Sequence, residues 1–165
     1  AIGVSNFSPM ELEELLKHSK VKPHIVQSWM DPLHQERPLR ALCQRHGVRF
    51  QAYSTLGTQW AGRGVKINPV IKHPVLNRIG SDLGRTAAQV ALRWIVQQGL
   101  PLATKSDRRD YMLADTDVFD FQLREADMAL LADTPIDPDD PTRLECGLAI
   151  LVDRELQARV GDPPQ

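Results

Sequence analysis

The chain has 165 residues, of which 42% are hydrophobic and 25% are charged, and its formal net charge at pH 7 is -1. These proportions are typical of a globular protein and exclude a chain that is disordered throughout. A charge so close to zero argues against a general nucleic-acid binder. The longest apolar run, residues 148–152, is far shorter than the roughly 20 residues that cross a bilayer. We therefore expect no nucleic-acid partner and no membrane span.

The cysteines and histidines predict neither a disulfide framework nor a metal site. Cys43 shares helical spacing with Leu39 and Leu42, so we interpret it as a buried thiol. Two cysteines in a chain of this size are too few for a disulfide scaffold, which favours a reducing, cytoplasmic compartment. The five histidines lack the spacing of metal ligands.

Strand and helix patterns alternate along the first third of the chain. The predicted elements are a strand over residues 1–4, a helix from residue 9, a strand over 24–29, a helix over 36–46 and a strand over 48–53. Ser8 and Glu11 form a capping box around the start of the first helix. Gly47 follows the second helix, where a left-handed residue commonly ends a helix.

The next part of the chain continues this alternation after a glycine-rich loop. The predicted elements are a loop over residues 57–68, helices over 74–83 and 87–98, a strand over 100–104, and helices over 106–116 and 123–132. Thr86 and Gln89 form a second capping box, and Ser106 is predicted to cap the helix that follows the last strand. Four strands alternating with helices predict an α/β fold with parallel pairing.

Polar residues occur where each predicted strand ends. They are Ser5 and Asn6, Gln27, Tyr53 and Ser54, and Lys105 and Ser106. In parallel α/β folds the carboxyl ends of the strands form the edge at which ligands bind. We therefore interpret these residues together as a candidate ligand site.

The chemistry of these side chains suits a nucleotide with an amide-bearing ring and a phosphate. Asn6 and Gln27 pair a donor with an acceptor, which matches a carboxamide, and Tyr53 offers a flat face for an aromatic ring. Lys105 suits a phosphate, and Ser106 at a helix N-terminus would add N–H groups that favour anions.

Each of these residues also has a simpler interpretation. Asn6 could satisfy a turn, and Gln27 could be hydrogen-bonded to a neighbouring strand. Tyr53 could be core packing, and Lys105 could be a solvated charge. Residues 62–67 do not form a dinucleotide-binding GxGxxG motif, because Ile67 stands in place of the third glycine. That motif therefore does not decide between these interpretations.

Several segments taken together resemble the C-terminal half of an aldo-keto reductase. They are Ile2-Gly3-Val4-Ser5-Asn6-Phe7, Ala52-Tyr53-Ser54-Thr55-Leu56-Gly57, Gln89-Val90-Ala91-Leu92-Arg93-Trp94, Lys105-Ser106 and Val118-Phe119-Asp120-Phe121. The resemblance implies the last four βα units of a (β/α)8 TIM barrel, with parallel strands, as an incomplete barrel over residues 1–133. It also implies NADP(H) as cofactor and hydride transfer to a small carbonyl substrate. Residues 134–165 form a Pro/Asp-rich linker and tail outside the family pattern.

The resemblance also assigns cofactor contacts by position. In order along the cofactor they are Ser5, Asn6 and Gln27 at the nicotinamide carboxamide, Tyr53 against the nicotinamide ring, Ser54, Leu56 and Thr58 along the pyrophosphate, and Lys105 and Ser106 at the 2′-phosphate. The family's catalytic Asp, Tyr, Lys and His have no counterpart here. This chain alone therefore lacks a general acid for carbonyl reduction.

Two further departures from the family pattern bear on the site. In the segment around Gln27, the family's Asn, Glu and His are replaced by Val26, Trp29 and Asp31. After Lys105, residues Tyr111, Ala114 and Asp115 replace the family's Arg, Glu and Asn. The preference for NADP over NAD is therefore open.

The sequence supports two hypotheses about function. In the first, the chain is the C-terminal, cofactor-binding part of an NADP-dependent oxidoreductase that reduces aldehydes and ketones to alcohols, and further sequence supplies the rest. In the second, it is a non-catalytic half-barrel used for binding or interaction. Its outer strands, residues 1–4 and 100–104, would then pair with a second copy as a homodimer. We favour the first.

Overall fold

A single sheet of four parallel strands organises the part of the chain that the computed structural model describes, residues 1–134. The strands are β1 (Gly3–Ser5), β2 (Ile25–Trp29), β3 (Arg49–Tyr53) and β4 (Leu102–Ala103), and they lie side by side in chain order. The predicted linker and tail lie outside the described residues, apart from Thr134.

Helices connect the strands and follow the last of them. They are α1 (Pro9–His18), α2 (Arg37–Arg45), α3 (Thr58–Ala61), α4 (Pro74–Leu83), α5 (Ala87–Gln97), α6 (Arg109–Thr116) and α7 (Glu125–Ala132), with a short 3-10 turn at Asp117–Phe119. None of the helices in residues 1–134 combines the length and the apolar composition that a bilayer crossing requires.

The pairing of the strands confirms the predicted parallel α/β fold. Val26 lies between Val4 and Phe50 in the register of the first three strands. At the last strand, Ala52 pairs with Leu102. Every strand therefore runs in the same direction, and all four carboxyl ends lie at one edge of the sheet.

The two predicted capping boxes are present and fix the starts of α1 and α5. The backbone N–H of Glu11 donates to the Ser8 hydroxyl at 3.3 Å, and the Ser8 N–H donates to the Glu11 carboxylate at 2.8 Å. These hydrogen bonds from Ser8 lower the pKa of Glu11. Thr86 and Gln89 form the same reciprocal pair at α5. Each box satisfies N–H groups that have no partner inside the helix. Because this pattern is specific to helix starts, both starts could be predicted from the sequence.

Two details of the sequence prediction are wrong. Residues 57–68 are not only a loop, because α3 forms within them and buries Trp60 completely. Ser106 does not cap α6, which begins at Arg109 with Arg108 as its N-cap. The Ser106 hydroxyl instead accepts the Arg108 N–H at 3.2 Å, in a turn that precedes the helix. The expected helix N-terminus at Ser106 is therefore absent.

The two faces of the sheet differ in how well they are covered. Val26, Phe50 and Ala52 point to one face and belong to the same buried core as the apolar faces of α1, α2 and α5. Gln27 and Gln51 point to the other face and are half-buried. We call this second side the open face. Parallel sheets are usually covered on both sides, whereas the helices of residues 1–134 pack against only one side of this sheet.

Cys43 lies in the core, as the sequence predicted. Its side chain is buried among the apolar residues of α2, Leu39 and Leu42. Burial raises the pKa of the thiol to about 11, so it stays protonated near neutral pH. The thiol is therefore a packing group.

His73, which precedes α4, is a buried imidazole, and neither of its ring nitrogens has a hydrogen-bond partner among residues 1–134. Burial lowers its pKa from 6.5 to about 4, because the charged form would lose its hydration. In the unfolded chain the group takes up a proton near pH 6.5, whereas the folded chain does so only near pH 4. Its contribution to stability is therefore lost as the pH falls from 6.5 towards 4.

Replacing His73 with leucine should remove this pH dependence. We expect the free energy of unfolding of His73→Leu, relative to the parent chain, to rise by about 2 kcal/mol between pH 8 and pH 5. Urea unfolding at a series of pH values measures it, with the exposed His46→Gln as the control. A constant difference between His73→Leu and parent across this range would contradict the assignment.

Candidate active site

The predicted polar residues do meet at the carboxyl edge of the sheet. Asn6 and Ser54 each come directly after a strand and adopt left-handed backbone conformations, with φ values of 58° and 53°. The Asn6 N–H donates to the Gln27 carbonyl at 2.9 Å, which continues the pairing of β1 with β2. The chain therefore turns sharply at both positions, immediately beyond the sheet.

A chain of hydrogen bonds links three of these residues across the edge. The Tyr53 hydroxyl donates to the Asn6 side-chain carbonyl at 2.8 Å. The Asn6 amide in turn donates to the Ser5 hydroxyl at 3.1 Å. Asn6 thus fixes the Tyr53 ring, which is half-buried and keeps an accessible surface. The turn and packing interpretations of Asn6 and Tyr53 therefore describe contacts that are present.

Gln27 lies on the open face within β2 and is engaged by its neighbour. Its side-chain amide donates to the Gln51 carbonyl oxygen at 2.8 Å. This is the hydrogen bond to an adjacent strand that the simpler interpretation predicted. Ser5, Gln27 and Gln51 occupy one register row, so the amide of Gln27 is near the Ser5–Asn6 end of the edge.

A groove of about 420 Å³ runs from Tyr53 to Lys105 along the edge. Its lining consists of Tyr53, Ser54, Thr55, Leu56, Thr58, Ala103, Thr104 and Lys105. The Thr58 hydroxyl and the Gln59 amide both donate to the Ser54 hydroxyl, at 3.1 and 3.3 Å. The groove is therefore lined by a flat aromatic ring, an exposed ammonium group and several hydroxyl groups.

The residues beyond Lys105 form their own local contacts. Arg108 pairs with Asp110 through two hydrogen bonds and lies 4.1 Å from the centre of the Tyr111 ring. This pairing lowers the pKa of Asp110. Asp115 accepts the Thr104 hydroxyl at 3.2 Å. Arg108 is therefore already paired with a carboxylate of its own turn.

A second cavity, of about 400 Å³, lies on the other side of Tyr53 and Asn6. His34 stacks on Trp29 within it, with ring centres 4.0 Å apart. Glu36 accepts the Ser28 hydroxyl at 3.1 Å and lies 3.3 Å from the His34 Nε2 atom. This cavity brings aromatic, acidic and imidazole groups beside the ring of Tyr53.

Sequence reasoning missed the buried carboxylate of Asp31, which is inaccessible to solvent. Its Oδ2 atom accepts the indole N–H groups of Trp29 and Trp60, at 2.9 and 3.0 Å. Its Oδ1 atom accepts the backbone N–H groups of Leu33 and His34, at 2.8 and 3.0 Å. Burial raises the pKa of Asp31 to about 6, and the four donated hydrogen bonds oppose that rise.

One signal in the sequence could have revealed Asp31. Trp29 and Asp31 are the two positions at which the segment departs from the expected Glu and His. A joint replacement two residues apart suggests that the two side chains interact. The contact between Trp60 and Asp31 could not have been predicted in this way, because the two residues are 29 positions apart in the sequence. Within residues 1–134, no group of three acidic, histidine or cysteine side chains is placed to hold a metal ion.

Comparison with known proteins identifies the family. The family model described as the aldo/keto reductase family matches residues 1–134. The chain belongs to the aldo/keto reductase family. The match covers every described residue, including both cavities at the carboxyl edge of the sheet. The resemblance inferred from the sequence is confirmed.

Curated relatives are similar over most of this chain. It is 37% identical over 137 residues to (1S)-1,7-diacetoxy-luvungin A aldo-keto reductase of Citrus sinensis, covering 81% of this chain and 42% of that protein. It is 36% identical over 135 residues to NADPH-dependent codeinone reductase 1-4 of Papaver somniferum, covering 82% of this chain and 41% of that protein. The chain thus spans about two fifths of the length of these relatives.

A solved structure supports the fold. The aldo-keto reductase enzyme MGS-M4, from a Medee basin deep-sea metagenome library, superimposes with a TM-score of 0.74 at 27% sequence identity. The alignment covers 82% of this chain and 48% of that one. A four-stranded parallel sheet that spans less than half of such an enzyme fits a partial (β/α)8 barrel, which confirms the predicted fold class.

The left-handed backbone at Asn6 gives a testable stability prediction. Asparagine tolerates this conformation better than alanine, whose Cβ crowds the following carbonyl, whereas glycine has no Cβ. Both Asn6→Ala and Asn6→Gly lose the bond from Tyr53, so the difference between them isolates the backbone. We expect Asn6→Ala to be less stable than Asn6→Gly by about 1 kcal/mol. Urea unfolding measures this difference, and equal stabilities would contradict the prediction.

Proposed function

We propose that this chain forms the C-terminal, cofactor-binding half of an NADP-dependent aldo/keto reductase that reduces aldehydes or ketones to alcohols. The observation that carries the proposal is the groove at the carboxyl edge of the sheet, which joins Tyr53 to Lys105. A small carbonyl compound is the substrate class. A cytoplasmic location, consistent with the buried free thiol of Cys43, belongs to the same proposal.

The side chains along the edge fit NADP(H) by their chemistry and their order. Ser5, Asn6 and Gln27 offer hydroxyl and amide groups to a carboxamide. The Tyr53 ring, fixed by its bond to Asn6, offers a face to the nicotinamide ring. When bound, NADPH would supply the hydride that reduces the carbonyl carbon.

The other end of the groove fits the phosphates. Ser54 and Thr58 contribute hydroxyl groups to its lining, to which Leu56 also belongs. Lys105 is exposed at its end and provides a positive charge for the 2′-phosphate, with the Ser106 hydroxyl beside it in sequence. Tyr111 stands at the position of the family's arginine, and the nearby Arg108 guanidinium is paired with Asp110.

The proton donor of the reaction belongs, in this proposal, to sequence outside this chain. Tyr53 is not suited to the role, because its hydroxyl donates to Asn6 at 2.8 Å and its ring is assigned to the cofactor. The part that this chain plays is therefore to hold and orient the cofactor. The remaining half would contribute the catalytic group and complete the substrate site.

Titration with NADPH tests the proposal. We expect the parent chain to bind NADPH, and we expect Lys105→Ala to weaken that binding about tenfold, since an ion pair with the 2′-phosphate is lost. Binding of NADH, which lacks this phosphate, should change much less. Enhancement of NADPH emission measures both affinities. Lys20→Ala, an exposed lysine that follows α1, is the matched control.

Three results would count against this proposal. The parent chain could fail to bind NADPH, or Lys105→Ala could bind it as tightly as the parent. Alternatively, purified chain could reduce a reactive aldehyde with NADPH by itself. That last result would contradict the assignment of the proton donor to the missing half.

A non-catalytic half-barrel that closes with a second copy is the second candidate. Among the described residues β1 and β4 each pair with one neighbour, so each leaves an edge unpaired. Beside β4 lies an apolar groove of about 330 Å³, and Phe119 at its border is 69% exposed. These features favour association through the β4 edge.

Sedimentation velocity tests this second candidate. If two copies associate, the parent chain should sediment as a dimer at micromolar concentration. Phe119→Glu should then shift it to monomer, because a charge enters the apolar contact. Met10→Glu, at a residue of α1 that is also highly exposed, should leave the dimer intact. A monomeric parent chain would exclude this candidate and leave the first.

A further inference from the structure

The segment after β3 determines the shape of the groove, and we call residues 54–64 the crossing loop. Under the proposed function, Ser54, Leu56 and Thr58 face the cofactor pyrophosphate from this loop. Loops that cross a ligand commonly close only when it binds. The contacts on the other side of the crossing loop indicate a different behaviour here.

Trp60 attaches the middle of the crossing loop to the segment that follows β2. Its indole N–H donates to the Asp31 carboxylate at 3.0 Å, and both side chains are inaccessible to solvent. Hydrogen bonds to a charged group are stronger than neutral ones, and this one is shielded from water. The crossing loop is thus fixed at its most buried residue.

The same carboxylate oxygen also holds Trp29 at the end of β2, at 2.9 Å. Trp29 contacts Trp60 edge to face, with ring centres 5.2 Å apart. The Arg63 guanidinium lies 4.6 Å from the centre of the Trp29 ring, so the far end of the crossing loop rests on this indole. Asp31 therefore accepts hydrogen bonds from both indoles, of which only Trp60 belongs to the crossing loop.

The start of the crossing loop is fixed independently. The Asn68 amide donates to the Leu56 carbonyl at 2.7 Å. The Asn68 side-chain oxygen accepts the N–H groups of Val70 and Ile71. None of these contacts uses the hydroxyl groups that line the groove. On the groove side, Thr58 and Gln59 donate hydrogen bonds to the Ser54 hydroxyl. The Thr58 side chain is exposed, and Ser54 is partly exposed.

We propose that Asp31 is a positioning residue that holds the crossing loop in its cofactor-binding conformation before the cofactor arrives, so that NADPH binds in one step. The inference rests on the proposed function for the identity of the cofactor. A loop that is ordered in advance loses less conformational entropy on binding, which strengthens the complex. It also removes loop closure from the kinetics of cofactor exchange.

Two tryptophan variants separate this role from general stability. Trp60→Phe keeps an aromatic ring in the core and removes only the N–H that attaches the crossing loop to Asp31. Trp29→Phe removes the other N–H from the same Asp31 oxygen and keeps a ring beneath Arg63. Because Trp29 lies on a strand, this matched control leaves the crossing loop attached.

The first measurement is hydrogen exchange of residues 54–64 without cofactor. We expect the amides of this segment to exchange about tenfold faster in Trp60→Phe than in the parent, and at the parent rate in Trp29→Phe. Asp31→Asn, which retains the size of the side chain and removes its charge, should resemble Trp60→Phe. Thermal unfolding of all the variants checks that each is folded.

The second measurement is stopped-flow binding followed by NADPH emission. The parent should give a single phase whose rate rises linearly with NADPH concentration. Trp60→Phe should release NADPH about tenfold faster and add a slower phase that saturates.

The outcomes distinguish the inference from the proposed function. Unchanged exchange in Trp60→Phe, or equal loosening of the crossing loop in both tryptophan variants, would overturn the inference. A saturating second phase in the parent would overturn it as well. If the parent binds no NADPH, the proposed function fails, and the exchange experiment still decides whether Asp31 holds the loop.

Discussion

Parallel pairing of consecutive strands is the constraint on which the whole site depends. Because β1 to β4 lie in chain order and run in one direction, each polar segment that follows a strand reaches the same edge. Asn6 and Tyr53 come from strands separated by β2, yet their side chains meet at 2.8 Å. The same arrangement places the connecting helices against one face and leaves the amides of Gln27 and Gln51 on the other.

Local chemistry made much of this fold predictable, and long-range contacts made part of it unpredictable. The starts of α1 and α5 could be located because a capping box is complete within four residues. In contrast, α3 is a single turn between two glycines, which is too short to show a hydrophobic period in the sequence. Its most distinctive feature, the complete burial of Trp60, is visible only in the structure. Ser106 was predicted to cap a helix from its residue type alone, whereas its hydroxyl accepts the Arg108 N–H in a turn that precedes α6.

The candidate site divides in the same way. Residues at strand ends could be inferred, since parallel strands deliver them to one edge, and the resemblance supplied their order along a cofactor. Their roles as cofactor contacts remain predictions. Asp31 could not be assigned a role from sequence, because one of its four donors lies in a separate loop and two belong to the backbone. The paired departure at Trp29 and Asp31 indicates a contact between these two side chains, but it does not indicate that the carboxylate is buried.

Burial shifts the pKa values of Asp31 and His73 in opposite directions, which affects how the stability of the fold depends on pH in mildly acidic solution. Asp31 gains its proton near pH 6 in the folded chain, well above the value of 3.8 for a free aspartate, whereas buried His73 gains one only near pH 4. Between these values the folded chain holds an extra proton on Asp31 and lacks one on His73, relative to the unfolded chain. The two differences cancel, so folding through this interval involves almost no net exchange of protons with the solvent from this pair. The combined contribution of these two groups to the free energy of unfolding is therefore nearly independent of pH in this interval.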